Sequence, residues 1–260
     1  MNQETNQPTP KQPTKEAGAW GAYNEAVAVF GAPGTGKSYF MEHFLVERTK
    51  SAYVIAFDPT HSFRHNQGLV FRYGNPQQLL GQGLKQHPQG IHCLDFAHPT
   101  VVLQTAISLC NALKVKNDTT PVLLAIDEVV GFDGMSPFHI SEDLQKAYLW
   151  RRHFRLGFVF GSQRPQAVHP TFYDSCTDMV LFRLTNQKAH GRLLEFGCPK
   201  EIVTQLGALP NYHHLTCKPG QLEQALPPGT PPDSEGPDTG EPSQGDQGAA
   251  PSSEVPQEPQ

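Results

Sequence analysis

The segment 26–38, AVAVFGAPGTGKS, constrains this chain more than any other part of it. Gly31, Ala32, Pro33, Gly34, Thr35, Gly36, Lys37 and Ser38 fit the spacing GxxxxGK[ST]. They stand between a five-residue apolar run and a stretch with helical periodicity. Glycines allow the main chain to wrap closely, so that its N–H groups point at phosphate oxygens, and the helix start adds the positive end of its dipole. Lys37 brings a mobile positive charge for the β- and γ-phosphates. The Ser38 hydroxyl is a hard ligand suited to Mg²⁺. The expected ligands are therefore ATP, held by residues 31–38, and Mg²⁺. The alternative for the same residues is a Gly-rich turn with a solvated lysine.

The rest of the chain alternates apolar runs with amphipathic ones. Ala26–Phe30 (AVAVF), Tyr53–Phe57 (YVIAF) and Val122–Ile126 (VLLAI) predict buried strands, with shorter ones at 69–73, 91–94, 157–160 and 179–184. A helix is expected over 37–50, with Phe40, Met41, Phe44 and Leu45 on one face. A second runs from an N-cap at Thr100 to Val115, with Val102, Ala106, Leu109 and Leu113 as its stripe. A third opens at Ser141-Glu142-Asp143 and closes on Arg151, Arg152 and Arg155, matching acids and bases to the helix dipole. A fourth covers 186–196. Continuously apolar strands separated by helices argue an α/β fold, a mostly parallel sheet with helices on both faces. Ligands then belong at the carboxyl ends of the strands.

Two strand ends carry further chemistry. VLLAI runs into Asp127-Glu128, a Walker B pattern. Asp127 can hold Mg²⁺, directly or through water. Glu128 can orient and deprotonate an attacking water, which favours ATP hydrolysis over transfer to a small metabolite. The strand 157–160 runs into Ser162-Gln163-Arg164-Pro165, where Gln163 reads either as a γ-phosphate sensor or as a loop residue. The arginines just before that strand read either as a helix-end basic cluster or as a source of an arginine that stabilises phosphoryl charge across a subunit boundary.

Composition divides the chain. It has 260 residues, 20 Lys and Arg, 25 Asp and Glu, and a net charge of −5. Residues 219–260 hold eight of the acids and ten of the 24 prolines, with no Lys, Arg or aromatic residue. Such a segment cannot bury enough apolar surface to offset its ordering entropy and is expected to be disordered. Residues 1–20 are expected to behave alike, although Trp20 could dock on the fold. Without the acidic tail, residues 1–218 keep all 20 bases against 17 acids, a balance of +3, so the folded part, 21–218, is mildly basic. That weakly basic balance fits an ordinary solvated surface as well as a nucleic-acid partner. No run of about 18 apolar residues predicts a membrane helix, and the polar N-terminus does not resemble a secretory signal. Five cysteines without a CxxC pair suggest reduced thiols. His61 and His65, or His213 and His214, have no Cys or carboxylate partner at zinc-ligand spacing.

In order, GAPGTGKSYF, VIAFDPTH, VLLAIDEVV, RRHFRLGFVFGSQRPQAVHPTF and DMVLFRLTNQKAH resemble the HerA–FtsK superfamily of ATP-driven DNA motors. The similarity spans roughly 26–188. It implies a RecA-like (ASCE) P-loop NTPase fold with strand order 5-1-4-3-2, assembled into a homo-oligomeric, hexameric ring. By position Arg152 resembles the arginine finger, with Arg151 and Arg155 as alternatives in a slipped register. Gln163 resembles the strand-end sensor, and Asp58 an acid that follows the second strand in some members. Only about 25 residues precede the first strand, so the β-barrel of HerA helicases is not expected. A large inserted helical domain, membrane spans and a winged-helix domain are not expected either. A minimal motor is most similar to the genome-packaging ATPases of internal-membrane, double-jelly-roll viruses such as tectiviruses.

That resemblance implies an ATPase pumping double-stranded DNA into a capsid, working in the host cytoplasm and associated with the virion. Capsid or membrane proteins at a virion vertex would be its partners. Residues 131–140, after the Walker B strand, are a candidate pore or subunit-contact loop. Two alternatives stand beside it: a plasmid, conjugation or phage-morphogenesis ATPase of the same superfamily, and a nucleotide-gated scaffold without turnover.

Overall fold

The computed structural model describes residues 25–66, 68–94 and 98–218. The tails 1–20 and 219–260 lie outside the described residues. The strands are β1 (Ala26–Phe30), β2 (Tyr53–Phe57), β3 (Val70–Arg72), β4 (Ile91–Cys93), β5 (Val122–Ile126), β6 (Leu156–Ser162), β7 (Asp178–Leu181) and β8 (Leu215–Cys217). They form one sheet in the order β3-β4-β2-β5-β6-β1-β7-β8. Every neighbouring pair is parallel except β7 and β8. Numbering β1, β2, β5, β6 and β7 as strands 1 to 5 reproduces the expected order 5-1-4-3-2. Beyond it, β3 and β4 extend the β2 edge, and the unanticipated β8 closes the other.

The unbroken apolar strands follow from this arrangement. All residues of β1, β5 and β6 are buried, yet side chains alternate between two faces. Ala26, Ala28 and Phe30 join one core with Val122, Leu124, Ile126, Phe158 and Phe160. Val27 and Val29 join the opposite core with Leu123, Ala125 and Val159. The helix α1 (Lys37–Arg48) covers the second core with Met41 and Leu45, both 0 % exposed. Each such side chain contributes about 1.5–3 kcal/mol. Phe40 and Phe44 pack partly buried beside them.

Between β3 and β4 the chain makes two short helical turns, α2 (Pro76–Gln78) and α3 (Leu84–Gln86), joined by a π-helical turn. The first core is covered by α4 (Pro99–Val115), whose buried stripe includes Val102, Ala106, Leu109 and Leu113. Its N-cap is His98, whose side chain accepts the Thr100 N–H, and not Thr100 as expected. The Thr100 hydroxyl instead donates to Asp133, within the 131–140 segment.

The expected third helix is two. Ser141 caps α5 (Glu142–Leu149) by accepting the Leu144 N–H. A break at Trp150 then starts α6 (Arg151–Phe154). The break turns Arg151 inward, where it donates to the carbonyls of Tyr148 and Ser175 at 3.2 and 2.7 Å. Strand β6 runs two residues past the expected Phe160. Its Gly161 makes that possible, because a Cβ there would stand 2.3 Å from the Asp127 carbonyl oxygen and 2.9 Å from Met41 Sδ. Strand β7 ends three residues before the expected Leu184. The short α7 (Pro170–Asp174) precedes β7, and α8 (Gln187–Glu195) and α9 (Lys200–Gln205) follow it. No described helix is long and apolar enough to cross a membrane.

Candidate functional site

The loop 31–36 leaves the carboxyl end of β1, and α1 begins at Lys37. Neighbouring strand ends pin the loop. Gly31 N–H donates to the Ser162 carbonyl at 3.3 Å, and Ala32 N–H to the Arg183 carbonyl at 2.9 Å. Within the loop the Thr35 hydroxyl donates to the Ala32 carbonyl at 2.8 Å. Gly36 precedes the helix with φ 106° and no side-chain cap. That left-handed conformation is one L side chains rarely adopt. The first helical N–H groups consequently have no side-chain acceptor, which is the arrangement that receives an anion.

Lys37 is 7 % exposed, and its ammonium reaches the Ala32 carbonyl at 3.4 Å. Burial pushes its pKa below the ordinary lysine value, and the charges of Asp127 and then Glu128 oppose that shift. A buried ammonium with incomplete compensation is a strong site for phosphate.

The Ser38 hydroxyl donates to Asp127 Oδ1 at 2.8 Å, joining the start of α1 to the end of β5. The Thr60 hydroxyl approaches Asp127 Oδ2 at 3.4 Å. Burial raises the pKa of Asp127, the Ser38 hydrogen bond opposes it, and the nearby Asp58 charge raises it further. These residues fit Mg²⁺. Neighbouring ligands of an octahedral Mg²⁺ at 2.0–2.1 Å lie about 2.9 Å apart, close to the Ser38–Asp127 separation. A cation would also offset the burial of the Asp127 charge.

Glu128 is held from β6. Its Oε2 accepts the Gln163 main-chain N–H at 3.1 Å, and its Oε1 the Val130 N–H at 3.4 Å. Gln163 thus meets Glu128 through its backbone, while its side chain is exposed at the end of β6. Lys37, Ser38, Asp127, Glu128 and Gln163 are brought to one end of the sheet.

Arg152 is not. It is exposed on α6, before the first residue of β6, whereas the loop lies beside Ser162 at the last. Seven strand residues at about 3.3 Å each span about 20 Å, so Arg152 does not reach the loop of its own chain. The other two arginines are engaged: Arg151 is buried as described, and Arg155 donates to the Asp118 carbonyl at 3.2 Å.

Asp58 is 0 % exposed and organises the chain after β2. It accepts the N–H groups of Ser62 and Phe63 at 2.8 and 3.0 Å and pairs with Arg72 at 2.8 Å. A second buried carboxylate, absent from the expected set, does the same one turn further along. Glu42 of α1 is 0 % exposed and accepts the N–H groups of Arg64, His65 and Asn66. The available signal was an acid on the apolar face of α1, next to Met41. The two anchors fold residues 60–66 over α1, so that Ser62, Arg64 and His65 line a cleft of about 220 Å³ with Gly34, Gly36 and Tyr39. Among the described residues no group of three His, Cys, Asp or Glu could hold a metal ion, and the five cysteines are free thiols.

No protein-family model and no curated protein matches the chain. Solved structures do. The genome packaging NTPase B204 from Sulfolobus turreted icosahedral virus 2, in complex with ATP-γS, superposes with a TM-score of 0.63 at 17 % identity, covering 80 % of this chain and 99 % of that one. Its complex with sulfate gives 0.63 at 18 % identity, covering 79 % and 97 %. B204, the DNA-packaging ATPase from Sulfolobus turreted icosahedral virus, gives 0.61 at 17 %, covering 80 % and 98 %. At these identities the likeness is one of fold: the chain has the P-loop NTPase fold of viral genome-packaging ATPases, in agreement with the resemblance drawn from its motifs.

Proposed function

We propose that this chain is an ATPase of the HerA–FtsK type that translocates double-stranded DNA as a viral genome-packaging motor. The observation that carries the reading is the Ser38–Asp127 hydrogen bond, with Glu128 beside it and the 31–36 loop above a buried Lys37. The fold likeness to packaging ATPases over 80 % of this chain supports it.

In this reading residues 31–38 hold the triphosphate and Lys37 places its charge on the β- and γ-phosphates. Ser38 and Asp127 would hold Mg²⁺, which when bound neutralises charge on those phosphates. Glu128, oriented by the Gln163 and Val130 amides, accepts a proton from water as its oxygen bonds to the γ-phosphorus. The bond from γ-phosphorus to the β–γ bridging oxygen breaks, and ADP and phosphate leave. Arg152 acts on the site of a neighbouring subunit, because its own is out of reach, and this calls for a ring, taken as hexameric. The folded part is mildly basic, and grip on the DNA backbone is electrostatic and salt-dependent. The role would set the chain in the host cytoplasm and at a virion vertex.

Turnover of ATP by the full chain, measured with and without double-stranded DNA, tests this. DNA-stimulated hydrolysis is expected. A purified oligomer that binds ATP but shows no hydrolysis under either condition would overturn the motor in favour of a nucleotide-gated scaffold.

A further inference from the structure

Two cysteines meet beside the last strand of the sheet. Cys198 stands between α8 and α9, and Cys217 is the last residue of β8. They are 4 % and 5 % exposed, and their Sγ atoms lie 3.1 Å apart. Cys217 sits opposite Met179 in the β7–β8 register, and Cys198 Sγ lies 3.5 Å from Met179 Sδ. A disulfide has an S–S length of about 2.05 Å, so about 1 Å of movement separates the two thiols from a bond. The 19-residue separation hides this pair in the sequence, where no CxxC marks it.

The segment between the two cysteines touches the 31–36 loop. It contains α9 and then Tyr212, whose N–H donates to the Thr35 carbonyl at 2.8 Å. A Cβ on Gly36 would strike the Tyr212 ring at 2.8 Å. Residues 199–216 therefore clasp the loop at Tyr212, and both ends of the clasp are held where the sulfurs meet.

We propose that Cys198 and Cys217 are an oxidation site, which a peroxide converts to a disulfide that staples the clasp on the 31–36 loop. The chemistry does not depend on the nucleotide reading. In the closed fold it is suppressed. The hydrogen bond to Cys217, and then burial, hold the Cys198 thiol above the ordinary range, and a thiol is a far poorer nucleophile than a thiolate. Strand β8 provides the way in. It is three residues long, stands at the sheet edge and pairs only with β7, and such elements open at a small fraction of the global unfolding cost. Once β8 opens, the Cys217 thiol gives its proton to solvent and its sulfur attacks one peroxide oxygen. The O–O bond breaks, leaving a sulfenic acid on Cys217 and a hydroxide that takes up a proton as water. When the strand closes, the Cys198 sulfur attacks the Cys217 sulfur and the S–O bond breaks. The departing hydroxide takes the Cys198 proton as a second water. Two thiols lose two electrons in all, and one peroxide is reduced to two waters.

The test exposes the full chain to hydrogen peroxide, counts thiols after denaturation and locates any bond by mass spectrometry of the unreduced digest. The five free thiols should fall to three, with one linkage, Cys198 to Cys217, that dithiothreitol reverses. Closing a loop of about 20 residues should raise the melting temperature by about 6–12 °C. Hydrogen exchange at the Tyr212 amide should slow in the oxidised protein. Cys176→Ala should form the same bond and Cys217→Ala none, while the thiol count on the wild-type chain is decisive without any variant. Five thiols remaining after exposure, a linkage through another cysteine, or sulfinic acid in place of the bond would overturn the site. A bond that forms without slowing exchange at Tyr212 would overturn its effect on the loop.

Discussion

Replacing Glu42 by leucine asks whether a single buried carboxylate holds the wall of the cleft beside the 31–36 loop. In the native structure its two oxygens accept the N–H groups of Arg64, His65 and Asn66, and also the Asn66 side-chain amide. Leucine offers no acceptor, and three adjacent main-chain donors lose their partner together. An unsatisfied buried donor costs about 1–3 kcal/mol. These donors are only part-buried, so the low end applies and the sum is about 3 kcal/mol. For a domain of this size 1 kcal/mol corresponds to about 2–4 °C, so the melting temperature should fall by about 6–12 °C. Glu42→Gln keeps one carbonyl acceptor and should lose about half as much. Calorimetry reads the first quantity, and amide hydrogen exchange at 64–66 reads the second, since those three amides should lose protection before the sheet does. A Glu42→Leu protein that melts within about 2 °C of wild type with protected amides at 64–66 would refute the anchoring argument.

Three other outcomes follow from the site. Glu128→Gln should keep ATP affinity and lower turnover by about 10²–10⁴-fold; hydrolysis near the wild-type rate would remove Glu128 from the mechanism. Mixtures of Lys37→Ala and Arg152→Ala chains should regain some activity lost by each variant alone, and no rescue at any ratio would exclude Arg152 acting across subunits. Burial holds the Asp127 carboxyl above the ordinary carboxylate range. The sign is therefore that protonation favours the cation-free fold. That contribution is full below the unfolded value near 3.9 and is lost as pH rises through the folded one. Asp127→Asn should accordingly raise the melting temperature of the metal-free protein at pH 7 and abolish any Mg²⁺-dependent gain, and thermal scans with and without Mg²⁺ check both.

Residues 31–38 and Asp127-Glu128 are legible in one dimension because the chemistry demands local patterns. A loop that wraps phosphate needs glycines at short spacing, and a carboxylate at a strand end needs only an apolar run before it. The strand order was an expectation from the family resemblance alone, since no local pattern in the residues specifies it. Strand β8 and α9 were not legible, since they follow the last motif and have weak patterns of their own. The helix break at Trp150 was equally hidden. It is set by where Arg151 finds the Tyr148 and Ser175 carbonyls, the latter on a segment 24 residues away.

The sequence by itself determined the two strand-end motifs, the buried parallel sheet and the division of charge between residues 1–218 and the acidic tail, because these depend on residue type and short spacing. Only the tertiary structure decided which side chains work together. It separated Arg152 from its own loop by the length of β6. It drew Gly161 against the Asp127 carbonyl, gave Glu42 three donors from another segment and brought Tyr212 to Gly36. Each of these is a contact between distant positions, set by how strands are ordered and how closely backbones pack.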